Sequence, residues 1–205
     1  MRRPRFIAEQ ARDARGWLGR LIAFIMARET WAQNLRAIAA LHVREDDQVL
    51  DVGCGPGRAL ATLAAKAPRG RVVGADPSEV MAEVALARNR GLVRSGRVEV
   101  AIAEVAALPF AAACFDKVLC VHVVYFWPDL DAALRELARV IKPGGRMALV
   151  FRTSADTPAV ESFPSEVYRF RALLEVESAA ERAGFRLEGQ PAQGGEPLLL
   201  IATRA

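Results

Sequence analysis

Between residues 48 and 190 the chain alternates short apolar runs with longer amphipathic ones, and that regular switch leaves few folds open. The short runs are Gln48 to Val52, Arg71 to Ala75, Arg97 to Ile102, Asp116 to Val121 and Arg146 to Phe151. They are rich in branched residues and read as buried strands. Between them, apolar residues recur every three or four positions. Arg58 to Lys66 is an Ala/Leu-rich helix, Glu79 to Asn89 is a helix capped by Asp76-Pro77-Ser78, and Asp129 to Ile141 is a helix stopped by Pro143-Gly144-Gly145. Leu173 to Ala183 is a further helix, with Gly184 just past its end. Such alternation predicts an α/β fold with a doubly wound, mainly parallel sheet and helices on both faces. The sixth and seventh strands, Phe185 to Glu188 and Leu198 to Thr203, have no helix between them. Pro191 to Pro197, with Gly194 and Gly195, joins them, which predicts an antiparallel hairpin at a sheet end.

Ahead of the first strand, Trp17 to Leu41 shows helical spacing in two stretches. The division expected is a helical extension over 1–44 and a sheet domain over 45–205. The extension carries nine arginines against three acids, although the whole chain has a net charge of only +4. A basic arm suits nucleic acid, an anionic membrane surface or an acidic substrate, and is equally a solvated helix face. Of 205 residues, 52% are hydrophobic and 25% charged, enough to bury a core and too apolar for a disordered polymer. The longest N-terminal apolar run, Leu21 to Ala27, falls well short of the about 20 residues that span a bilayer. Glu9, Asp13, Arg15 and Arg20 interrupt any signal-like stretch, so a cytoplasmic location is expected. Three cysteines, Cys54, Cys114 and Cys120, form no CxxC pair, and no His, Asp or Glu cluster stands at ligand spacing. Reduced thiols and no metal are expected.

In open parallel sheets ligands bind beyond the carboxyl ends of the strands. At the first strand that end reads Asp51-Val-Gly53-Cys54-Gly55-Pro-Gly57, a loop whose glycines allow tight turning ahead of a helix N-terminus. The second strand ends at Asp76, 19 residues after Gly57, where an acid accepts hydrogen bonds from ribose hydroxyls. The third leads to Glu104. The nicotinamide pattern is G-x-G-x-x-G, whereas here the spacing is G-x-G-x-G with an acid two residues ahead. A carboxylate beside a pyrophosphate is repulsive; beside an ammonium and a sulfonium it is favourable. The residues therefore favour S-adenosylmethionine (SAM) over a dinucleotide.

VLDVGCGPG (49–57), VVGADPS (72–78), AEVAALPF (103–110), CFDKVLCV (114–121) and LRELARVIKPGG (134–145) together resemble the class I SAM-dependent methyltransferases. The similarity is greatest to the bacterial small-molecule type that resembles the ubiquinone/menaquinone C-methyltransferases. It implies a Rossmann-like seven-stranded sheet whose last strand is antiparallel. It also implies SAM as cofactor and S-adenosylhomocysteine (SAH) as product. Asp51, Gly53, Cys54, Gly55 and Gly57 would cradle the methionine part, and Asp76 the ribose, with Pro77 beside the adenine. Glu104 stands where the family usually has Asp, and it and the Val105 N–H would reach the adenine edge.

The segment after the fourth strand, His122-Val-Val-Tyr125-Phe126-Trp127, offers the catalytic candidates His122 and Tyr125. Trp31, Tyr125, Phe126 and Trp127 are the candidate walls of an acceptor pocket. Acceptor choice is expected from 1–44, acting as a lid, and from 152–172, with Phe163, Tyr168 and Phe170. The brevity of both favours a small-molecule acceptor. A membrane lipid or quinone-like acceptor, reached by peripheral contact of the basic helices, is the alternative. A non-catalytic SAM- or SAH-binding protein is the alternative of another class. Base-methylating families place an Asn/Asp-Pro-Pro-aromatic motif after strand four; Val121 to Tyr125 lacks it, which speaks against nucleic acid.

Overall fold

The computed structural model describes residues 4–190 and 196–205, with the backbone alone for residues 23, 26, 189 and 190. The chain opens with α1 (Arg5–Arg12), α2 (Gly16–Glu29) and α3 (Trp31–Ala40). Then follow β1 (Gln48–Val52), α4 (Arg58–Lys66), β2 (Arg71–Asp76), α5 (Glu79–Arg88), α6 (Arg90–Arg94), β3 (Val98–Ile102) and β4 (Phe115–Val121). A 3-10 turn (Val124–Phe126) leads to α7 (Leu130–Val140), β5 (Ile141–Phe151), α8 (Thr157–Ser162), α9 (Leu173–Arg182), β6 (Phe185–Gln190) and β7 (Leu198–Arg204). The strands make one sheet in the order β3-β2-β1-β4-β5-β7-β6. All pairings from β3 to β5 are parallel, and β7 runs antiparallel to both β5 and β6. The hairpin expected at the sheet end is therefore present, while residues 191–195 of its connection, Gly194 and Gly195 included, lie outside the described residues.

Strand alternation sorts the core into two layers. Leu50, Val52, Val73, Val118 and Met147 face α7 and α9, whereas Val49, Val72, Leu119 and Ala148 face α3 and α4. Ala37, Ile38 and Leu41 belong to the second layer, so α3 is part of the sheet's own packing. Ala8 of α1 joins the first layer, whereas no described side chain of α2 belongs to either. The sequence reading begins its helices at Trp17 and overlooks α1, which is short and buries a single residue, Ala8. The Pro143-Gly144-Gly145 stop also differs: Ile141 is already extended and begins β5, and the turn is absorbed as a register shift in the β4–β5 ladder. Pro143 disfavours helix at the residue before it, which helps end α7. Among the described residues no helix is long and apolar enough to cross a membrane.

Gly57 shows how the first loop is fixed. It adopts φ +67°, and a Cβ there would lie 2.7 Å from the Ala85 Cβ and 2.9 Å from Asn89 Nδ2. Buried Asn89 donates to its carbonyl at 2.9 Å, tying the start of α4 to the end of α5. Gly57 thus packs against α5, and among the described residues it is not one of those lining the cavity described below. Left-handed strain and overpacking together predict that Gly57→Ala loses about 2–4 kcal/mol of stability, measured by urea denaturation. An unchanged midpoint would contradict this packing role.

Candidate functional site

The neighbours of β1 in the sheet are β2 on one side and β4 on the other, so strand order reverses between β1 and β4. A cavity of about 500 Å³ opens at the carboxyl ends there, a size typical of small-ligand sites. Asp51 to Pro56 supply its floor, Asp76 to Ser78 one side, Ala103 to Val105 the next, and Val121 to Val123 with Phe126 to Pro128 the far side. Of the expected cofactor-site residues, Asp51, Gly53, Cys54, Gly55, Asp76, Pro77, Glu104 and Val105 are brought together on this wall.

The loop after β1 is shaped by close approaches. Gly53 has φ +66°, and a Cβ would stand 2.2 Å from Val123 Cγ1, so only glycine fits between β1 and the loop after β4. Gly55, at φ +53°, would point a Cβ into open space, and it lies on the cavity floor. Cys54 turns its thiol inward: a Cβ on Gly74 would lie 2.8 Å from Sγ. Burial pushes that thiol well above the ordinary cysteine range, which makes it a packing group.

Two carboxylates dominate the electrostatics. Asp76 accepts from the Gly55 N–H at 2.8 Å and the Ser78 N–H at 3.0 Å. Burial nevertheless raises its pKa, with those two bonds opposing and the charges of Asp13 and Glu104 adding to the rise. Asp51 is buried at the cavity floor, and its side chain receives no hydrogen bond among the described residues. Burial first, then the nearby Asp76, push its pKa to about 8. A buried acid without a partner is costly in the free protein and suits a cation. The donor set therefore fits SAM: a carboxylate for its positive methionine end, a second for the ribose, and a glycine backbone between.

His122 closes the far side. It adopts φ +58°, rare for a residue with a Cβ, and its N–H donates to the Val150 carbonyl at 2.8 Å. Its Nδ1 lies 3.1 Å from the Tyr125 hydroxyl, which accepts from the Arg152 N–H at 2.6 Å. The Tyr125 hydroxyl thus bridges the His122 ring and the Arg152 backbone, and the direction of its bond to Nδ1 is set by the His122 tautomer. Burial, then Arg152 and Arg36, lower the His122 pKa to about 4, so the ring is neutral at physiological pH. Burial also drives the Tyr125 phenol far up. Tyr125, expected in the acceptor pocket, is buried and is not among the residues lining the cavity. Its ring is buried among Phe126, Tyr168 and Phe170, and its hydroxyl meets His122. Trp31, Phe126 and Trp127 do line the cavity.

The 152–172 segment is likewise behind the wall. Tyr168 is buried in the core, the Arg169 N–H donates to the Tyr125 carbonyl at 3.2 Å, and Arg171 Nη2 donates to the Trp127 carbonyl at 2.9 Å. It braces the loop after β4. The sequence reading missed Gln10 to Ala14 and Asn34, which line the cavity from the α1–α2 turn and α3. The Ser78 hydroxyl donates to the Ala14 carbonyl at 2.8 Å and fastens that turn beside Asp76. The short run before Asp13 carries no motif; its only signal is the spacing of Ile7, Ala8 and Ala11.

The raised pKa of Asp51 has a signed consequence. The folded state holds this proton up to about pH 8, against an ordinary value of 3.8 in the unfolded chain. The stability it contributes is complete below the unfolded value and is lost as pH rises from about 4 to about 8. Asp51→Asn should therefore gain on the wild type between pH 5 and pH 8 by at least about 1.4 kcal/mol, the worth of one pH unit. Urea denaturation of both proteins at the two pH values checks this; parallel pH dependences would contradict it.

Comparison with known proteins agrees with this chemistry. Residues 50–149 match the Methyltransferase domain family. The chain is 40% identical over 129 residues to the methyltransferase GfsG of Streptomyces halstedii, which covers 60% of this chain and 46% of that protein. It is 35% identical over 137 residues to the ubiquinone/menaquinone biosynthesis C-methyltransferase UbiE of Geobacter sulfurreducens, covering 65% of this chain and 52% of that one. The chain thus spans about half the length of these relatives. A SAM-dependent methyltransferase from Aquifex aeolicus superposes with a TM-score of 0.72 at 24% identity, over 84% of this chain and 89% of the other, which shows a shared fold. With the glycine loop and paired acids in place at the switch point, residues 50–149 are a class I SAM-dependent methyltransferase domain resembling the ubiquinone/menaquinone C-methyltransferases.

Proposed function

We propose that this protein transfers a methyl group from SAM to a small-molecule acceptor. The observation that carries the reading is one cavity with two characters: buried carboxylates at the β1 and β2 ends, and an aromatic wall of Trp31, Phe126 and Trp127 facing them. SAM, when bound, supplies a methyl group already activated by its sulfonium for in-line displacement by the acceptor atom. What remains for the protein is to bind, orient and exclude water, and orientation alone is worth up to about 7–11 kcal/mol. Asp51 holds the positive end of the cofactor and Asp76 the ribose diol. The apolar wall keeps water from the acceptor atom. Neutral His122, fixed through Nδ1 by Tyr125, lines the cavity; its depressed basicity makes it a positioning group and a poor general base at neutral pH. The α1–α2 turn, fastened through Ser78 and Ala14, covers the cofactor side as a lid.

A second reading, a lipid or quinone-like acceptor, is favoured by one observation. Trp17, Leu21, Phe24 and Ile25 lie exposed along α2, and Trp17 is 76% exposed. An apolar row beside basic residues suits shallow contact with a membrane surface. The Geobacter relative's name also attaches to quinone biosynthesis.

Two measurements test the proposal. Calorimetric titration should show SAH binding that weakens about 10- to 100-fold in Asp76→Ala, the loss of hydrogen bonds to a charged acceptor; equal affinity in the variant would contradict the ribose assignment. Incubation with methyl-labelled SAM and cell extract should place label in the low-mass filtrate or the lipid fraction. Label in protein or nucleic acid alone would contradict the acceptor class, and SAH binding without any transfer would favour a non-catalytic binder.

A further inference from the structure

Beside the main cavity lies a second one of about 320 Å³, lined by Phe24, Ala27, Arg28, Arg58 and Arg88. Ala27 and Arg58 line both spaces, so the two share a wall. The three arginines come from α2, α4 and α5, and no carboxylate lines this cavity among the described residues. Arg58 is held in place: its Cζ stands 4.1 Å from the Trp31 ring centroid, and its Nη1 donates to the Ala27 carbonyl at 3.2 Å. Arg88 reaches over Phe24, with Cζ 5.9 Å from the ring centroid. Stacking orders a guanidinium while leaving its N–H edge free to donate.

Three like charges converging on one concavity repel one another, and an anion relieves that repulsion. Guanidinium groups match the oxygens of phosphate in pairs, which gives geometry as well as charge. The apolar atoms of Phe24 and Ala27 between them suit the first carbons attached to such a group.

We propose that this cavity is an anion subsite for a phosphorylated acceptor. Its phosphate is gripped by Arg28, Arg58 and Arg88, and its body passes Ala27 and Trp31 into the main cavity. The proposal rests on the methyl-transfer reading of that cavity. It specifies the acceptor as an apolar or aromatic body carrying a phosphate at the end away from the methylated atom. The same chemistry is presented by a soluble phosphate ester and by a phospholipid headgroup.

The test uses inorganic phosphate and hexyl phosphate as probes, read by calorimetric titration. Hexyl phosphate should bind more tightly than inorganic phosphate, because its chain reaches the shared wall. The double variant Arg28→Gln/Arg88→Gln should weaken it at least tenfold while SAH affinity stays unchanged, since neither residue lines the main cavity. Absence of binding by both probes, or equal affinity in the variant, would overturn the subsite. A wild-type protein that fails to bind SAH would overturn the methyl-transfer reading, and with it the assignment of this cavity to an acceptor. Sedimentation with phosphatidylglycerol and phosphatidylcholine vesicles separates the sources. Capture by the anionic vesicles alone, competed by hexyl phosphate and lost in the variant, supports a lipid headgroup. Binding of hexyl phosphate without capture supports a soluble ester.

Discussion

A carboxylic acid that receives no hydrogen bond among the described residues is buried at the carboxyl end of β1, and much of the rest is arranged around it. Asp51 follows Leu50 at the end of β1, between β2 and β4, and burial disfavours its charged form. Asp76, one strand away, raises its pKa further. Hydrophobic burial of the flanking strands provides the surplus that tolerates this, since both faces of the sheet are packed. The cost in the free protein becomes selectivity in the complex: a positively charged ligand relieves it, and a pyrophosphate aggravates it. This is why the same strand–loop–helix unit that serves dinucleotides elsewhere takes SAM here.

Backbone shape then decides where that charge is felt. Gly53 lets the loop lie against Val123, and Gly57 lets α4 start against α5, so the loop is clamped from two sides while Gly55 stays open. Opposite the loop, His122 is held in a strained conformation by the sheet through Val150 and by Tyr125 through Arg152. The aromatic cluster of Tyr125, Phe163, Tyr168 and Phe170 supports that position from behind. On the proposed function, walls braced from both sides leave orientation as the protein's main contribution.

Much of this was legible in the sequence, for physical reasons. The mainly parallel sheet and the acids at strand ends follow from alternation and from the glycine loop, which are local signals. The antiparallel last strand followed from a missing helix between β6 and β7. What stayed hidden depended on tertiary proximity. Gly57 looks like its neighbours in a motif, and only the approach of Ala85 and Asn89 shows that it serves packing. Tyr125 looks like a pocket residue until its hydroxyl is seen between His122 and the Arg152 N–H. Gln10 to Ala14 form part of the cavity wall, yet α1 is too short and too little buried to announce itself. The arginines of the second cavity stand 30 residues apart at each step, Arg28, Arg58 and Arg88, and only the fold gathers them.

The central claim, that a buried and largely protonated Asp51 ionises to receive a cationic cofactor, is open to one direct measurement. Calorimetric titration of SAM at pH 7, repeated in buffers of different ionisation enthalpy, counts the protons exchanged on binding. With the free acid at a pKa of about 8, the account predicts release of about one proton per SAM bound by the wild type and essentially none by Asp51→Asn. Binding with no proton release by the wild type, or with the same release by both proteins, would contradict it.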